Sequence, residues 1–500
     1  MSIISNMSYY ENTKADALCT RREEAKLNSE YSDKVIKTKY LVLTVLLTFF
    51  ASYYGTLELF WISPLLILVL LLTQLNIFIN TIHLSVFIIL VSIPAGAIAI
   101  PILDKTPSIY FPSILSVFLL IHSIFNHKKS HSQLIDDSWA KEKSIIIYLT
   151  VLYCISLLIS MCQANEPART LYLGIVRLII LLAYISILKF DYNQKQRICI
   201  LKIISFIGVV ITVYYIVNAA LVYGTSYENL SMGLAAKDNL ARAGFLGTTN
   251  TIASFLVFTI PLSLSFWYHV GKASIKLKLL MIFGIFAQLI LLSSISSRAG
   301  IVGLIGGLLL GFSLSGRLLT RNAKLGRFIF TILIFLSIAF ILTPDPVIVR
   351  TKNVFSQERL ENEFTTDYGR LALIRSAFDA FKQNPIIGIG IGNFANFNLN
   401  YSMGSGSETH NIFFQTLAEE GIVGFILLVS ILFLLIKRLI YLCKISNSIS
   451  QILILSSTLG TLLNSSFEPT FWHVPFATLF WLSLAVLTTG TISTPNIRSH

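Results

Sequence analysis

The stretch His410–Ile436 reads HNIFFQTLAEEGIVGFILLVSILFLLI. From Phe425 onward it is nearly all apolar, while His410, Asn411, Glu419 and Glu420 crowd its entrance. Apolar runs near this length recur along the chain, and each is long enough to cross a bilayer as a helix. The whole sequence agrees with that reading. Of 500 residues, 54% are hydrophobic and 13% charged, too apolar for a soluble protein of this size. The expected fold class is all-α: a polytopic transmembrane helix bundle of about 12–14 spans, with one long outer loop that contains amphipathic helices.

The length rule places spans at 40–55, 58–79, 84–103, 110–126, 145–162, 170–189, 199–223, 250–270, 277–296, 299–316, 327–343, 421–443, 450–466 and 470–490. The formal charge of +13 does not point to nucleic acid, because Lys and Arg in a membrane protein gather on cytoplasmic loops. Here they mark the tail (Lys14, Arg21, Arg22, Lys26, Lys34, Lys37, Lys39) and the even-numbered connections, for example Lys128 and Lys129, Arg317 and Arg321, and Lys437 and Arg438. The opposite connections hold few: Lys105, Arg169, Lys237, Arg242 and Arg298. This asymmetry predicts cytoplasmic N- and C-termini in a multi-pass membrane protein. It divides the chain into a cytoplasmic tail (1–39), an N-terminal transmembrane bundle (40–343), a periplasmic loop (344–420) and C-terminal transmembrane helices (421–500). No cleaved signal peptide is recognisable. Cys19, Cys154, Cys162, Cys199 and Cys443 form no C-x-x-C pair, so neither a disulfide nor a metal role is expected of them.

The outer loop has its own pattern. In TTDYGRLALIRSAFDAFKQNP, Thr366 or Asp367 can cap a helix that Pro385 stops. Leu371, Ile374, Phe378 and Phe381 form an apolar stripe suited to the membrane surface. Arg370 falls in the first turn, the wrong end of the helix dipole for a cation. Either it pairs with Asp367, or an anionic ligand compensates. The glycines of IIGIGIGNF do not have dinucleotide-fingerprint spacing, and a turn where two backbones approach is the better reading. Three helical turns separate His410 from Gly421, so His410, Phe414, Leu417 and Gly421 are expected on one face, with Gly421 and Gly424 pressed against another helix. His410 is either a proton acceptor or a plain interfacial histidine. Arg298, in SSISSRAG, and Arg242 either snorkel to water or bind phosphate.

Taken together these residues resemble the O-antigen ligases and their relatives, the O-antigen polymerases and protein O-oligosaccharyltransferases. The similarity lies in His410-Asn411, nine residues, Gly421, two residues, Gly424; in Glu419; in Gly369-Arg370; in Asn384-Pro385-x-x-Gly388-x-Gly390 with Phe394; in Ser297-Arg298-x-Gly300; and in Arg242-x-Gly244 with Asn250. The resemblance implies a metal-independent, cofactor-free membrane glycosyltransferase of the bacterial inner membrane. Its donor would be an undecaprenyl-diphosphate-linked glycan and its acceptor a lipid A–core sugar or another glycan, with membrane lipids as surroundings. It implies His410 and Arg370 as catalytic, and Arg298, Arg242, Asn411 and Glu419 as substrate-binding. A polymerase or a protein glycosyltransferase remains the alternative, the latter disfavoured by the short segment after the last span. A transporter or flippase fits less well, because its ionisable groups would sit at mid-membrane, where only Arg177 and Lys202 are expected.

Overall fold

The structure is a computed structural model. It describes residues 97–99, 108–110, 116, 137–223, 249–315, 370–401 and 408–490, apart from 163, 165–166, 270–274, 296 and 447. The chain divides at Leu70, and every described residue lies in the unit Leu71–His500. The expected spans at 40–55, 58–79 and 327–343, the tail, and the loop up to residue 369 lie outside the described residues.

The described fold is a helix bundle, and six of its helices are long and apolar enough to cross a membrane. In chain order the helices are α1 (Asp137–Met161), α2 (Pro167–Leu188), α3 (Gln194–Tyr223), α4 (Thr249–His269), α5 (Ile275–Ser294), α6 (Arg298–Leu314), α7 (Arg370–Gln383), α8 (Phe394–Tyr401), α9 (Ile412–Ser446), α10 (Ile449–Ser465) and α11 (Val474–Leu487). Nine of the expected spans thus correspond to helices. One region departs from the expectation: Ala97–Ala99 pairs antiparallel with Ser108–Tyr110, so the span expected at 84–103 is not helical to its end. Pro94, Gly96 and Pro101 flank that strand, and proline removes a helix donor while glycine lowers helix propensity.

Side-chain size sets the packing. In α6, Gly303, Gly307 and Gly311 recur every fourth residue and lie directly against Gly460 and Ser456 of α10. Small residues at this spacing let two membrane helices approach closely. Ser457 of α10 donates to the carbonyl of Phe258 in α4 at 2.6 Å, and Asn464 donates to Ser254 at 2.7 Å, so α10 is also stitched to α4. Every residue of α11 is buried, as expected of a helix that is apolar all round. At 14 residues it is about 21 Å long, short of the roughly 30 Å hydrocarbon core. A 3-10 turn, Pro469–Trp472, links α10 to α11. Exposed apolar side chains such as Ile155, Phe283 and Phe433 cover the bundle's outside, where lipid would solvate them.

The helix α9 is two helices. Gly421 breaks it with φ 68° and ψ −169°. The break would leave backbone groups unpaired in an apolar setting, which membranes do not tolerate unless protein satisfies them. The glycine-rich segment 385–393 does so. Ile389 N–H donates to Ala418 O and Gly390 N–H to Glu419 O, both at 3.0 Å, while Ile422 N–H donates to Pro385 O at 2.9 Å and Val423 N–H to Ile386 O at 3.3 Å. A Cβ on Gly388 would strike the Glu419–Glu420 peptide, and one on Gly421 would strike Ile386. The expected close backbone approach is therefore real, but Gly421 meets a loop and not a helix. The expected common face from His410 to Gly421 is also corrected: His410 precedes the helix, and Gly421 ends its first half.

Candidate active site

Three segments meet at one end of the bundle. The first is 408–411. Thr409 Oγ donates to Asn411 O at 2.7 Å and accepts from Asn411 N–H at 3.2 Å. This bracket holds His410 at φ 51°, a left-handed conformation uncommon for a side-chain-bearing residue and enriched at functional sites. Asn411 Oδ1 caps the first half of α9 by accepting from Phe413 N–H and Phe414 N–H at 2.9 and 3.1 Å. Its Nδ2 donates to Ser466 O at 2.7 Å.

That last bond leads to the second segment, the turn after α10. Glu468 stands just before Pro469, in the extended conformation that a following proline favours (φ −146°, ψ 136°). Its side chain is 7% exposed and bridges two groups. His410 Nδ1 lies 3.1 Å from Glu468 Oε2, and Arg370 Nη2 donates to Oε1 at 3.2 Å. A carboxylate accepts, so Nδ1 carries a proton, and in the neutral imidazole the lone pair falls on Nε2.

Arg370 opens the third segment, α7, and also lies over the Phe467 ring at 6.0 Å. Its partner in the structure is thus Glu468; Asp367 lies outside the described residues. The face of α7 that packs inward is Leu373, Ser376, Ala377 and Ala380. Of the expected stripe, Leu371 and Phe378 are exposed, and Phe378 meets Phe414 edge-on at 5.4 Å. Small residues win the packed face because α7 lies close against the first half of α9.

The other expected site residues sit differently. Arg298 begins α6, capped by Ser297, whose side chain accepts from Gly300 N–H. It stands five residues, about 7.5 Å, beyond Gly303 toward the end of α10 that leads to Glu468. Arg242 lies outside the described residues. Glu419 does not join His410. It is 1% exposed at the far end of the half-helix, where Oε1 accepts from Gln415 Nε2 at 3.3 Å and from Phe394 N–H at 3.4 Å.

Beneath the half-helix is an ionic cluster in which Arg177 is interior, as expected, and Glu419 and Glu420, read at the entrance of the apolar run, are buried with it. Arg177 of α2 bonds Glu420 at 2.6 Å, faces Glu419 at 3.7 Å and lies over the Trp472 ring at 5.0 Å. Lys202, grouped with it as an interior charge, is exposed. Glu408 feels the charges of both this cluster and His410. Burial, then the charge of Glu419, raises its pKa above the ordinary glutamate range, against Arg177, Arg169 and His410. Among the described residues, no three of His, Cys, Asp and Glu gather as a metal-holding group.

Glu468 was missed by sequence reasoning. Attention to basic residues passed over the one acid of SSFEPTFW, although its place between the last two expected spans put it on the same side as His410.

At one end of a multi-helix membrane bundle, a buried carboxylate thus holds both a histidine and an arginine. Residues 283–429 match the family model described as O-antigen ligase. The match spans Arg298, Arg370, His410, Asn411 and Glu419; it starts after Arg177 and Arg242 and ends before Glu468. It supports an O-antigen-ligase-type, glycosyltransferase-like function in a multi-pass bacterial membrane protein. No curated protein matches the chain.

Proposed function

We propose that the protein transfers a glycan from undecaprenyl diphosphate to a lipid A–core sugar at the outer face of the inner membrane. The bridge Arg370–Glu468–His410 carries this reading. The acceptor hydroxyl oxygen attacks the anomeric carbon of the donor. The bond from that carbon to the diphosphate oxygen breaks, and undecaprenyl diphosphate leaves with the electron pair. His410 Nε2 takes the hydroxyl proton, and Glu468 stabilises the resulting imidazolium through Nδ1–H. Arg370 can turn its other N–H donors to the diphosphate, whose charge grows as it leaves, and Arg298 and Arg242 would add positive charge. These arginines offer the positive charge that a divalent cation supplies in other glycosyl transfers, so activity is expected to survive EDTA.

The basic-residue asymmetry supports an orientation with His410 outside. Reporter fusions near residue 400 are expected to read periplasmic, and fusions at 128, 322 and 446 cytoplasmic. A cytoplasmic reading at 400 overturns the proposal, because the donor is presented outside. The acceptor is tested by the glycan profile of a deletion strain. Loss of polymer from lipid A with lipid-linked polymer accumulating is the expected result. Single-repeat decoration makes the protein a polymerase, and normal lipopolysaccharide with altered protein masses makes it a protein glycosyltransferase.

A further inference from the structure

The break at Gly421 poses a problem that the transfer reaction does not answer. The first half of α9 ends on Glu419 and Glu420, both 1% exposed. Two carboxylates at a helix C-terminus face the negative end of its dipole, and burial removes the water that would screen them. Left alone, they would push this half-helix out of the bundle. Among the described residues, the guanidinium of Arg177 opposes them. Arg177 lies eight residues into the span Arg169–Leu188, about 12 Å from its start, and is itself 7% exposed.

Arg177 also touches the other side of the site. The Trp472 ring beneath it closes the 3-10 turn that follows Glu468, and Tyr153 stacks on the same ring at 6.3 Å. A single side chain therefore holds the half-helix that begins beside His410 and the turn that begins at Glu468. Ser160 of α1 adds a bond to Glu419 O at 2.8 Å, but it brings no charge.

We propose that Arg177 is a positioning residue for glycan transfer: from inside the bundle it sets the separation of His410 from Glu468 by clamping Glu420 and Trp472 together. The inference rests on reading His410 as the base. Arg177 stands well below the site end and has no need to touch either substrate. Its loss acts on turnover through geometry, where a displacement of about 1 Å costs on the order of a hundredfold.

The test compares wild type, Arg177→Lys, Arg177→Met and the double variant Arg177→Met with Glu420→Gln, all in lipid nanodiscs. Single-turnover rate, donor KM and backbone hydrogen exchange are read on the same samples. Arg177→Met is expected to lower turnover about a hundredfold, with donor KM changed less than about threefold. Exchange in peptides covering 385–393 and 412–424 is expected to quicken about tenfold or more, with 449–465 unchanged. The double variant removes one stranded carboxylate and is expected to recover protection and at least about tenfold of the turnover. Arg177→Lys keeps the charge without the fork and falls between. Should Arg177→Met fail to accumulate, the lysine and double variants carry the same comparison. Normal turnover per folded molecule in Arg177→Met, or in the lysine variant where methionine does not accumulate, overturns the proposal. So does reduced turnover with unchanged exchange, which would put Arg177 on the substrate. A wild-type protein that transfers no lipid-linked glycan overturns the reading of the site instead, and is told apart because the exchange difference persists.

Discussion

Glu468 Oε2 lies 3.1 Å from His410 Nδ1 across 58 residues of sequence, and its other oxygen takes Arg370. One carboxylate thus sets the tautomer of the imidazole and the direction of the guanidinium. Because its side chain is only 7% exposed, water competes little for either bond.

Glu468→Gln keeps the shape and removes the charge. An amide can offer its N–H to Nδ1, which selects the wrong tautomer at Nε2. Turnover is expected to fall by about two to four orders of magnitude, with donor KM nearly unchanged. Single-turnover kinetics on purified variants checks this, and Glu468→Gln turning over at the wild-type rate would remove Glu468 from the mechanism.

Arg370→Ala is expected to weaken donor binding roughly ten- to a hundredfold, since a charge-assisted bond is worth about 1.5–3 kcal/mol. It also frees Glu468 from its second partner, so turnover falls as well. Arg370→Lys restores only part of both, because an ammonium lacks the planar fork. Equilibrium binding of the lipid-linked donor separates the two effects. An unchanged affinity in Arg370→Ala would assign Arg370 to holding Glu468 alone.

Gly388→Ala tests the loop that closes the helix break. The residue has φ 74°, and a Cβ there meets the backbone of Glu419 and Glu420. The left-handed strain alone is about 1–3 kcal/mol, and the backbone clash adds to it. Thermal unfolding in detergent should show a clear loss. An Ala variant as stable as wild type would contradict the described backbone approach.

Glu408 gives a pH signature. Its pKa is raised in the folded protein, chiefly by burial, so the folded state binds its proton more tightly than the unfolded chain does. The associated stability is fully present below the unfolded glutamate pKa and is lost as pH rises through the folded one. Glu408→Gln cannot lose that proton. The variant is therefore expected to gain stability relative to wild type between weakly acidic and neutral pH, measured as the difference in unfolding temperature. A difference independent of pH would refute the assignment.

Much of this was legible in the residues. The helices from α1 to α6 and from α9 to α11 follow from apolar length. His410, Arg370 and the glycine-rich turn stood out because their chemistry is unusual at a membrane edge. Glu419 was expected at the site only through the family resemblance. Helical geometry carries it about 10 Å along the axis from Ile412 and into the protein interior. Glu468 carried no comparable mark, since an acid before a proline is an ordinary turn.

By itself, then, the sequence determined a helical membrane bundle, because hydrophobic length is a local property that needs no partner. It also marked the glycine-rich turn as a close backbone approach, where Gly388 takes a left-handed conformation; the break at Gly421 was decided by the fold. Tertiary structure decided which charges meet. Arg370 pairs with a residue 98 positions away, and Arg177 with one 243 positions away. Ion pairs depend on distance in space, and at a membrane site, where few charges are available, the fold alone chooses their partners.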